Sequence, residues 1–171
     1  MYSVAEKEHR MQIRAATEAD LPSILALAAA KREEYATYSP VFWRVAEDAN
    51  EKQAAFFLNQ RLHNDAVITL VAEVDGSISG FIMAIIHAAP PVYDPGGLVC
   101  SIDDFTVATP DIWPTIGSAL LTVVTQQARE RGAVLVIIVC GQRDSAKRMM
   151  LQAQQATVAS EWYVKPLVSP Q

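Results

Sequence analysis

Two adjacent carboxylates, Asp103 and Asp104, lie within a β-rich run at residues 98–108. Successive side chains of a strand point to opposite faces, so we expect one carboxylate to face a site and the other to face a helix or solvent. A carboxylate can accept a proton from a reacting group. It can equally cap a sheet edge or pair with a basic residue. Both residues are therefore candidates for acid–base catalysis, and a structural role for the pair remains an alternative.

Hydrophobic periodicity predicts the elements that position these carboxylates. Helices are expected to begin at Thr17 and Asp48 and to cover residues 116–131 and 145–156. The expected strands cover residues 12–16, 66–73, 78–87, 98–108, 133–140 and 161–167. Asp75-Gly76 is typical of a hairpin turn, and the apolar run at 133–140 is typical of a strand buried on both faces. This order predicts a flexible tail at 1–10 and one α/β (α+β) domain at 11–171, with a mixed central sheet flanked by helices.

Two segments resemble the acetyl-CoA motif of the GCN5-related N-acetyltransferase (GNAT) superfamily: Ile102-Asp103-Asp104-Phe105-Thr106-Val107 and, ten residues later, Gly117-Ser118-Ala119-Leu120-Leu121. The resemblance covers residues 12–167 in element order, and its specific sequence lies at 102–132. It implies an acetyl-CoA-dependent N-acetyltransferase that transfers an acetyl group directly to a small amine. It also implies that Asp103 matches the carboxylate that family members carry on the strand before the loop.

The resemblance also implies where acetyl-CoA, the co-substrate, is held. The end of a strand can offer its main chain to the peptide-like pantetheine arm, and the amides at a helix N-terminus can hold the diphosphate. Glycine lets the chain approach such a ligand closely. The hydroxyls of Thr115 and Ser118 could add donors. The expected cofactor-binding residues are Phe105, Thr106, Val107, Ile112, Trp113, Thr115, Ile116, Gly117 and Ser118.

The motif departs from the family pattern at the positions that should hold the diphosphate. Ile112 replaces an arginine or glutamine, and Thr115 replaces the middle glycine. Trp113 is bulky where the family is small or polar, and Pro114 has no N–H to donate. The tyrosine acid that many relatives carry on the penultimate helix is replaced by Met150 or Leu151. These departures favour an alternative, in which the chain binds CoA weakly or not at all and serves as a sensor or assembly module.

Two tyrosines are candidates for the acceptor site. Tyr38 belongs to an aromatic segment between the first two helices, where core packing is the simpler explanation. Tyr93 lies in the Pro/Gly-rich loop at 88–97, which could equally form a dimer contact, so the sequence leaves a homodimer open. No metal is expected, because His9, His63 and His87 lack ligand-like spacing with the cysteines.

The composition narrows the classes of partner. The net charge of -5 and the pI of about 5.1 argue against a nucleic-acid partner, which requires a basic surface, and are compatible with a small amine substrate. No apolar run reaches the ~20 residues of a membrane span, and residues 1–10 lack the apolar core of a signal peptide. Cys100 and Cys140 lie in apolar runs, as is typical of reduced core thiols. We therefore expect a cytoplasmic protein without a membrane partner.

Overall fold

The computed structural model describes residues 10–62 and 64–167. Its strands are β1 (Met11–Ala15), β2 (Val67–Val74), β3 (Ser77–His87), β4 (Leu98–Val107) and β5 (Ala133–Ile138). Its α-helices are α1 (Leu21–Tyr38), α2 (Ala49–Leu62), α3 (Ser118–Glu130) and α4 (Ser145–Ala153). The predicted order is thus confirmed as far as α4. The tail expected at 1–10 lies, except for Arg10, outside the described residues.

The five strands form one mixed sheet in the order β1-β2-β3-β4-β5. The pairs β1–β2, β2–β3 and β3–β4 are antiparallel, and the pair β4–β5 is parallel. Asp75 and Gly76 join β2 to β3 with φ angles of 49° and 82°. A two-residue turn with both φ angles positive matches the twist of a hairpin. The Asp-Gly hairpin and the mixed sheet are therefore confirmed.

Helices cover both faces of this sheet and bury two apolar clusters. Successive residues of the central strands alternate between the clusters: Leu70 and Ile82 face α3, whereas Val71 and Phe81 face α1 and α2. The period of two in these strands is the reason that a single sheet can support two cores. The chain forms one α/β domain, as predicted. Within the described residues, no helix is both long and apolar enough to cross a bilayer.

Two sequence predictions at the C-terminal end of the fold are wrong. Residues 161–167 do not form a strand, because no neighbouring strand pairs with them in the described chain. The strand at 133–140 is not buried on both faces, since β5 is the last strand of the sheet. Three of its side chains are 39–53% exposed: Val134, Leu135 and Ile137. An apolar run indicates that a strand favours burial, but it does not indicate whether the strand lies in the centre or at the edge of the sheet.

Candidate active site

The two parallel strands β4 and β5 part at the C-terminal edge of the sheet. Their pairing ends at Ile102 and Ile138, and the amide of Val139 makes the last bond, 3.0 Å from the Ile102 carbonyl oxygen. Beyond this point β4 continues to Val107, paired only with β3. We call the resulting space between Phe105 and Val139 the β4–β5 fork.

A cavity of about 150 Å³ lies at the end of β4, between α1, the turn before α3 and the start of α4. Its volume corresponds to about five water molecules at roughly 30 Å³ each. The residues lining it include Lys31, Tyr38, Thr106, Val107, Ala108, Arg143 and Asp144. Such a cavity admits the reacting end of a ligand, while the remainder of a larger ligand would lie outside it.

Lys147 of α4 fills the β4–β5 fork. Its side chain is buried, and its Nζ donates to the carbonyl oxygens of Phe105 at 3.1 Å and Val139 at 2.8 Å. The ammonium also lies 5.0 Å from the centre of the Phe105 ring and 5.5 Å from that of Trp113. Burial lowers the pKa of Lys147 to about 8, and the neighbouring Cys140 and Asp144 oppose that shift. Carbonyl oxygens and aromatic faces stabilise a buried cation.

Sequence reasoning missed Lys147 as a site residue. The spacing in α4 indicates that Lys147 shares the face of Met150 and Leu151, three and four residues further on, and all three are buried. A lysine on the apolar face of a helix is a candidate for a functional or ion-paired group, because lysine is rarely buried without partners.

Asp144 joins α1 to α4 beneath the cavity. One carboxylate oxygen accepts from the backbone N–H of Lys147 at 3.2 Å and so caps α4. The other accepts from Lys31 Nζ at 2.9 Å and from the Tyr35 hydroxyl at 3.0 Å. Tyr35 in turn accepts from the amide of Gly141 at 3.0 Å. Burial is the main reason that the pKa of Tyr35 is raised, so the hydroxyl stays protonated and keeps donating to Asp144.

The two candidate carboxylates lie in different surroundings, as the alternation of the strand predicts. Asp103 is exposed. Asp104 is partly buried beneath α2, where one of its oxygens accepts from Gln53 Nε2 at 3.1 Å, and Gln53 in turn accepts from Arg32. Burial is the main reason that the pKa of Asp104 is raised, and the charge of Asp103 adds to it, whereas Arg32 and Lys147 act in the opposite direction. Asp104 shares its face of β4 with the cavity-lining Thr106 but does not line the cavity itself. It is the candidate base of the two.

The turn before α3 differs from the anion-binding turn that the sequence predicts. It consists of a 3₁₀ turn (Pro110–Ile112) and a π-helical turn (Trp113–Gly117). Within it, the Thr115 hydroxyl donates to the Ile112 carbonyl at 3.2 Å, and the Ser118 amide donates to the carbonyls of Thr115 and Trp113. The Thr115 hydroxyl and the Ser118 amide are thus used by the turn itself.

Trp113 occupies the space beneath this turn. Its ring is buried and meets Phe105 edge-on, with 4.8 Å between ring centroids. A Cβ atom at Gly117 would lie 2.4 Å from Trp113 Cε3. Gly117 therefore makes room for an indole ring. Ile116 is also buried, so the apolar residues of the turn serve the core.

The two acceptor-site candidates are separated by the length of β4. Tyr38 lines the cavity, and its hydroxyl donates to Glu34. Tyr93 is 72% exposed in the loop that leads into the first residue of β4. Ten residues of strand at about 3.3 Å each place this loop roughly 30 Å from the cavity. The structure therefore brings Tyr38 to the cavity and leaves Tyr93 apart from it.

His87 lies at the same distant end of β4. Its ring nitrogens bond to the Ala88 carbonyl and to Ser101 Oγ, each at 2.8 Å. No group of three or more histidine, cysteine, aspartate or glutamate side chains that could hold a metal occurs among the described residues. His9 and His63 fall outside them.

No protein-family model matches the sequence. No curated protein matches it either. Solved structures are similar across almost the whole chain. A predicted acetyltransferase with acetyl-CoA from Clostridium acetobutylicum has a TM-score of 0.71 at 17% identity, over 92% of this chain and 97% of that chain. An aminoglycoside acetyltransferase from an uncultured soil metagenomic sample, in complex with sisomicin, has a TM-score of 0.61 at 20% identity, over 94% and 97%.

A third similar structure is a ribosomal-protein-alanine N-acetyltransferase from Brucella melitensis biovar Abortus 2308. It has a TM-score of 0.61 at 20% identity, over 92% of this chain and the whole of that chain. The second of these proteins is named for aminoglycosides and the third for a ribosomal protein, and all three align with more than nine-tenths of this chain. The chain therefore has the fold of the GCN5-related N-acetyltransferases, as the sequence motif predicts.

Proposed function

We propose that this chain is an acyl-CoA-dependent N-acyltransferase that transfers an acetyl group to a small amine. The observation that carries the proposal is the cavity at the end of β4, where main chain, cations and a carboxylate network converge. Thr106, Val107 and Ala108 line one wall; this end of β4 is paired with β3 but not with β5, and a strand edge can bind a peptide-like arm such as pantetheine. On the other walls Lys31 is paired with Asp144 and Glu34, and the exposed Arg143 supplies positive charge for an anionic donor.

The residues that line the cavity fit the thioester end of such a donor. The residues of the turn before α3, which would bind its diphosphate, differ from the family pattern. The cavity is too small to enclose a whole CoA molecule, so only the acyl thioester would enter it. The turn at Trp113–Gly117 uses donors for its own hydrogen bonds, so the phosphates would depend on cationic side chains at the cavity mouth, of which Arg143 is exposed. Arginine binds phosphate through charge-assisted hydrogen bonds that are frequently bidentate.

Asp104 is the base in this proposal. As the amine nitrogen attacks the thioester carbonyl, the C–S bond breaks and the nitrogen loses a proton, which Asp104 accepts directly or through water. A carboxylate with a raised pKa is a stronger base than one with the ordinary pKa. Activity should therefore rise with pH as Asp104 loses its proton. The thiolate takes its proton from solvent, since α4 carries no tyrosine.

Titration with acetyl-CoA and an amine panel tests the proposal. We expect acetyl-CoA to raise the melting temperature, because a ligand of the native state alone stabilises it by mass action. Asp104→Asn should lower thiol release by about 10²–10⁴-fold without removing the thermal shift. The exposed Asp103→Asn removes a charge that helps to raise the pKa of Asp104, so it should keep the thermal shift and move the pH profile of activity to lower pH. Equal turnover by Asp104→Asn and the wild type would refute the role of the base. No thermal shift at millimolar acetyl-CoA would refute the whole proposal.

A second candidate function rests on Lys147 and Trp113. The ammonium holds the carbonyls of Phe105 and Val139, and the indole ring fills the space below the turn. This arrangement favours a non-catalytic protein of the same fold that acts as a sensor or assembly module. Lys147→Ala separates the two candidates. If the fork is closed to the donor, the variant should show a thermal shift with CoA that the wild type lacks; if the donor binds beside Lys147, both should show it.

A further inference from the structure

Lys147 lies where the arm of an acyl donor would bind. Its Nζ donates to the carbonyl oxygens of Phe105 and Val139, one on each side of the β4–β5 fork. Because β4 is paired only with β3 beyond Ile102, the Phe105 carbonyl faces the fork, where a peptide-like arm can pair with the strand edge. The arm of a CoA thioester and the amine of Lys147 therefore meet at the same main chain.

The amine also lies directly behind the wall of the cavity. Trp113 lines the cavity, and the centre of its ring is 5.5 Å from Lys147 Nζ. Thr106 on β4 and Ala146, the residue before Lys147, line it as well. A cavity of about 150 Å³ has room for an acetyl group. A thioester that enters the cavity from the fork would bring its carbonyl carbon beside Nζ.

Burial makes Lys147 a better nucleophile than an exposed lysine. It is the main reason that the pKa of Lys147 is lowered to about 8. The titratable groups that act on this pKa are Cys140, Asp144, Lys31 and Asp104, and of these only Lys31 lowers it further. Near pH 8 half of the Lys147 amines are thus neutral, whereas an ordinary lysine is almost wholly charged. Desolvation of this kind activates a lysine for attack on a carbonyl group.

Lys31 lines the cavity and is the competing lysine. Its Nζ lies 2.9 Å from an Asp144 oxygen and 3.0 Å from a Glu34 oxygen. Two carboxylates thus occupy its ammonium, and an ammonium has no lone pair with which to attack. The described hydrogen-bond partners of Lys147 Nζ are neutral carbonyl oxygens. These also accept from a neutral amine, so Lys147 can lose its proton and keep its position.

We propose that Lys147 Nζ is a self-acylation site that takes the acyl group of a CoA thioester bound in the fork. The neutral nitrogen attacks the thioester carbonyl carbon, the N–C bond forms, and the C–S bond breaks with its electron pair on sulfur. The nitrogen releases one proton and the CoA thiolate takes one up, so the products are an amide at Nζ and free CoA thiol. This inference rests on the proposed function, since it requires the donor to bind beside Lys147.

Acylation changes what holds the fork. An ammonium has three N–H donors, whereas the amide formed at Nζ has one. The modified side chain can therefore keep only one of its two bonds to Phe105 and Val139, and the buried positive charge is lost. An amide nitrogen is not a nucleophile, so we expect a single acyl group per chain at this site.

Intact-mass measurement of the full chain with acetyl-CoA and no amine acceptor tests the site. We expect the chain to gain the mass of one acetyl group, resistant to hydroxylamine as an amide is, with an equal amount of CoA thiol released. Peptide mapping should place the group on Lys147 and show it modified at least about tenfold faster than the control lysines, because a bound donor is held beside Nζ. The matched controls are Lys52 and Lys165, which are exposed and do not line the cavity.

Two further measurements separate a bound donor from simple reactivity. Lys147→Met should lose the modification, and mapping of the wild type decides the question if that variant does not fold. N-succinimidyl acetate, which needs no donor site, should label Lys52 before Lys147 in the folded chain, because it meets the exposed amine first. Preference for Lys147 with this reagent too would overturn the role of the bound donor.

The outcomes distinguish this inference from the proposed function. A thermal shift with acetyl-CoA but no acylation of Lys147, or faster acylation of Lys52, would overturn the inference and leave the proposed function intact. Acylation of Lys147 without turnover of any amine would support the inference and count against the amine acceptor. Absence of both the thermal shift and the acylation would overturn both.

Discussion

At the scale of single residues, Gly117 is required by the ring beside it. A Cβ atom there would meet Trp113 Cε3 at 2.4 Å, and the ring is buried in the core on the α3 side of the sheet. We therefore expect Gly117→Ala to destabilise the fold by about 1–3 kcal/mol, as overpacked cores do. For a domain of this size each kcal/mol lowers the melting temperature by roughly 2–4 °C, so we expect a fall of about 2–12 °C.

A double-mutant cycle supplies the control for that prediction. Trp113→Leu shortens the side chain, so Gly117→Ala should cost much less in its presence than in the wild type. Ser118→Ala, one residue further on, should have little effect. Additive costs of Trp113→Leu and Gly117→Ala would show that the glycine serves something other than the ring.

Lys147 should make stability depend on pH above neutrality. Its pKa is about 8 in the folded chain and 10.5 when unfolded. Between these values the unfolded chain holds a proton that the folded chain has released, so stability rises with pH across this window. A difference of this size corresponds to about 3 kcal/mol. Melting curves of the wild type and Lys147→Met from pH 7 to 10 should therefore show the wild type gaining stability relative to the variant, and parallel curves would contradict this.

The sequence predicts the carboxylates of the site better than its cation. Alternation along β4 requires that Asp103 and Asp104 face opposite sides, and they do. Which of them is buried depends on Gln53 of α2, a contact between residues 51 positions apart. Lys147 likewise acquires its role from the carbonyls of Phe105 and Val139, which depend on where two strands part. Local spacing cannot specify such long-range contacts.

At the scale of elements, Asp144 holds α4 against α1. Asp144→Ala removes the helix cap and the acceptor of the Tyr35 hydroxyl, and leaves Lys31 with Glu34 alone, so we expect a loss of about 2–4 kcal/mol. Asp144→Asn can keep the N-cap with its one side-chain oxygen but loses the second acceptor oxygen, so it should cost about 0.5–2 kcal/mol less than Asp144→Ala. Urea unfolding of the two variants measures the difference.

Tyr35→Phe checks the same connection from the side of α1. It removes one donor to Asp144 and the acceptor of the Gly141 amide, and should cost about 1–2 kcal/mol. If Asp144→Ala and Asp144→Asn were equally stable, the cap and the acceptor would not be what fixes α4.

The elements themselves are largely predictable up to α4, because each has a local pattern. The Asp75-Gly76 turn and the spacing along α3 need no distant partner to be recognised. The errors concern β5 and residues 161–167, where the outcome depends on whether another strand is present. A strand is completed by its neighbour, so an apolar run at a sheet edge is ambiguous from sequence alone.

At the scale of the whole molecule, the sheet separates two cores that unfold together. Ile24 of α1 is buried in the core on one face of the sheet, and Leu120 of α3 is buried in the core on the opposite face. Ile24→Val should cost about 0.5–1.5 kcal/mol and Leu120→Ala about 2–5 kcal/mol. Because the sheet lies between them and they share no partner, the double variant should cost their sum to within about 0.5 kcal/mol.

Calorimetry of these variants also tests whether 11–171 is one cooperative domain. The strands β2 and β3 contribute side chains to both cores, so loss of either core should unfold the other, and each variant should melt in a single transition. Leu120→Ala combined with Val124→Ala, one helical turn away on the same face, should instead deviate from additivity, since the two cavities merge. Two resolved transitions in the Ile24→Val variant would mean that the faces of the sheet fold independently, which the alternation of Leu70 with Val71 and of Ile82 with Phe81 argues against.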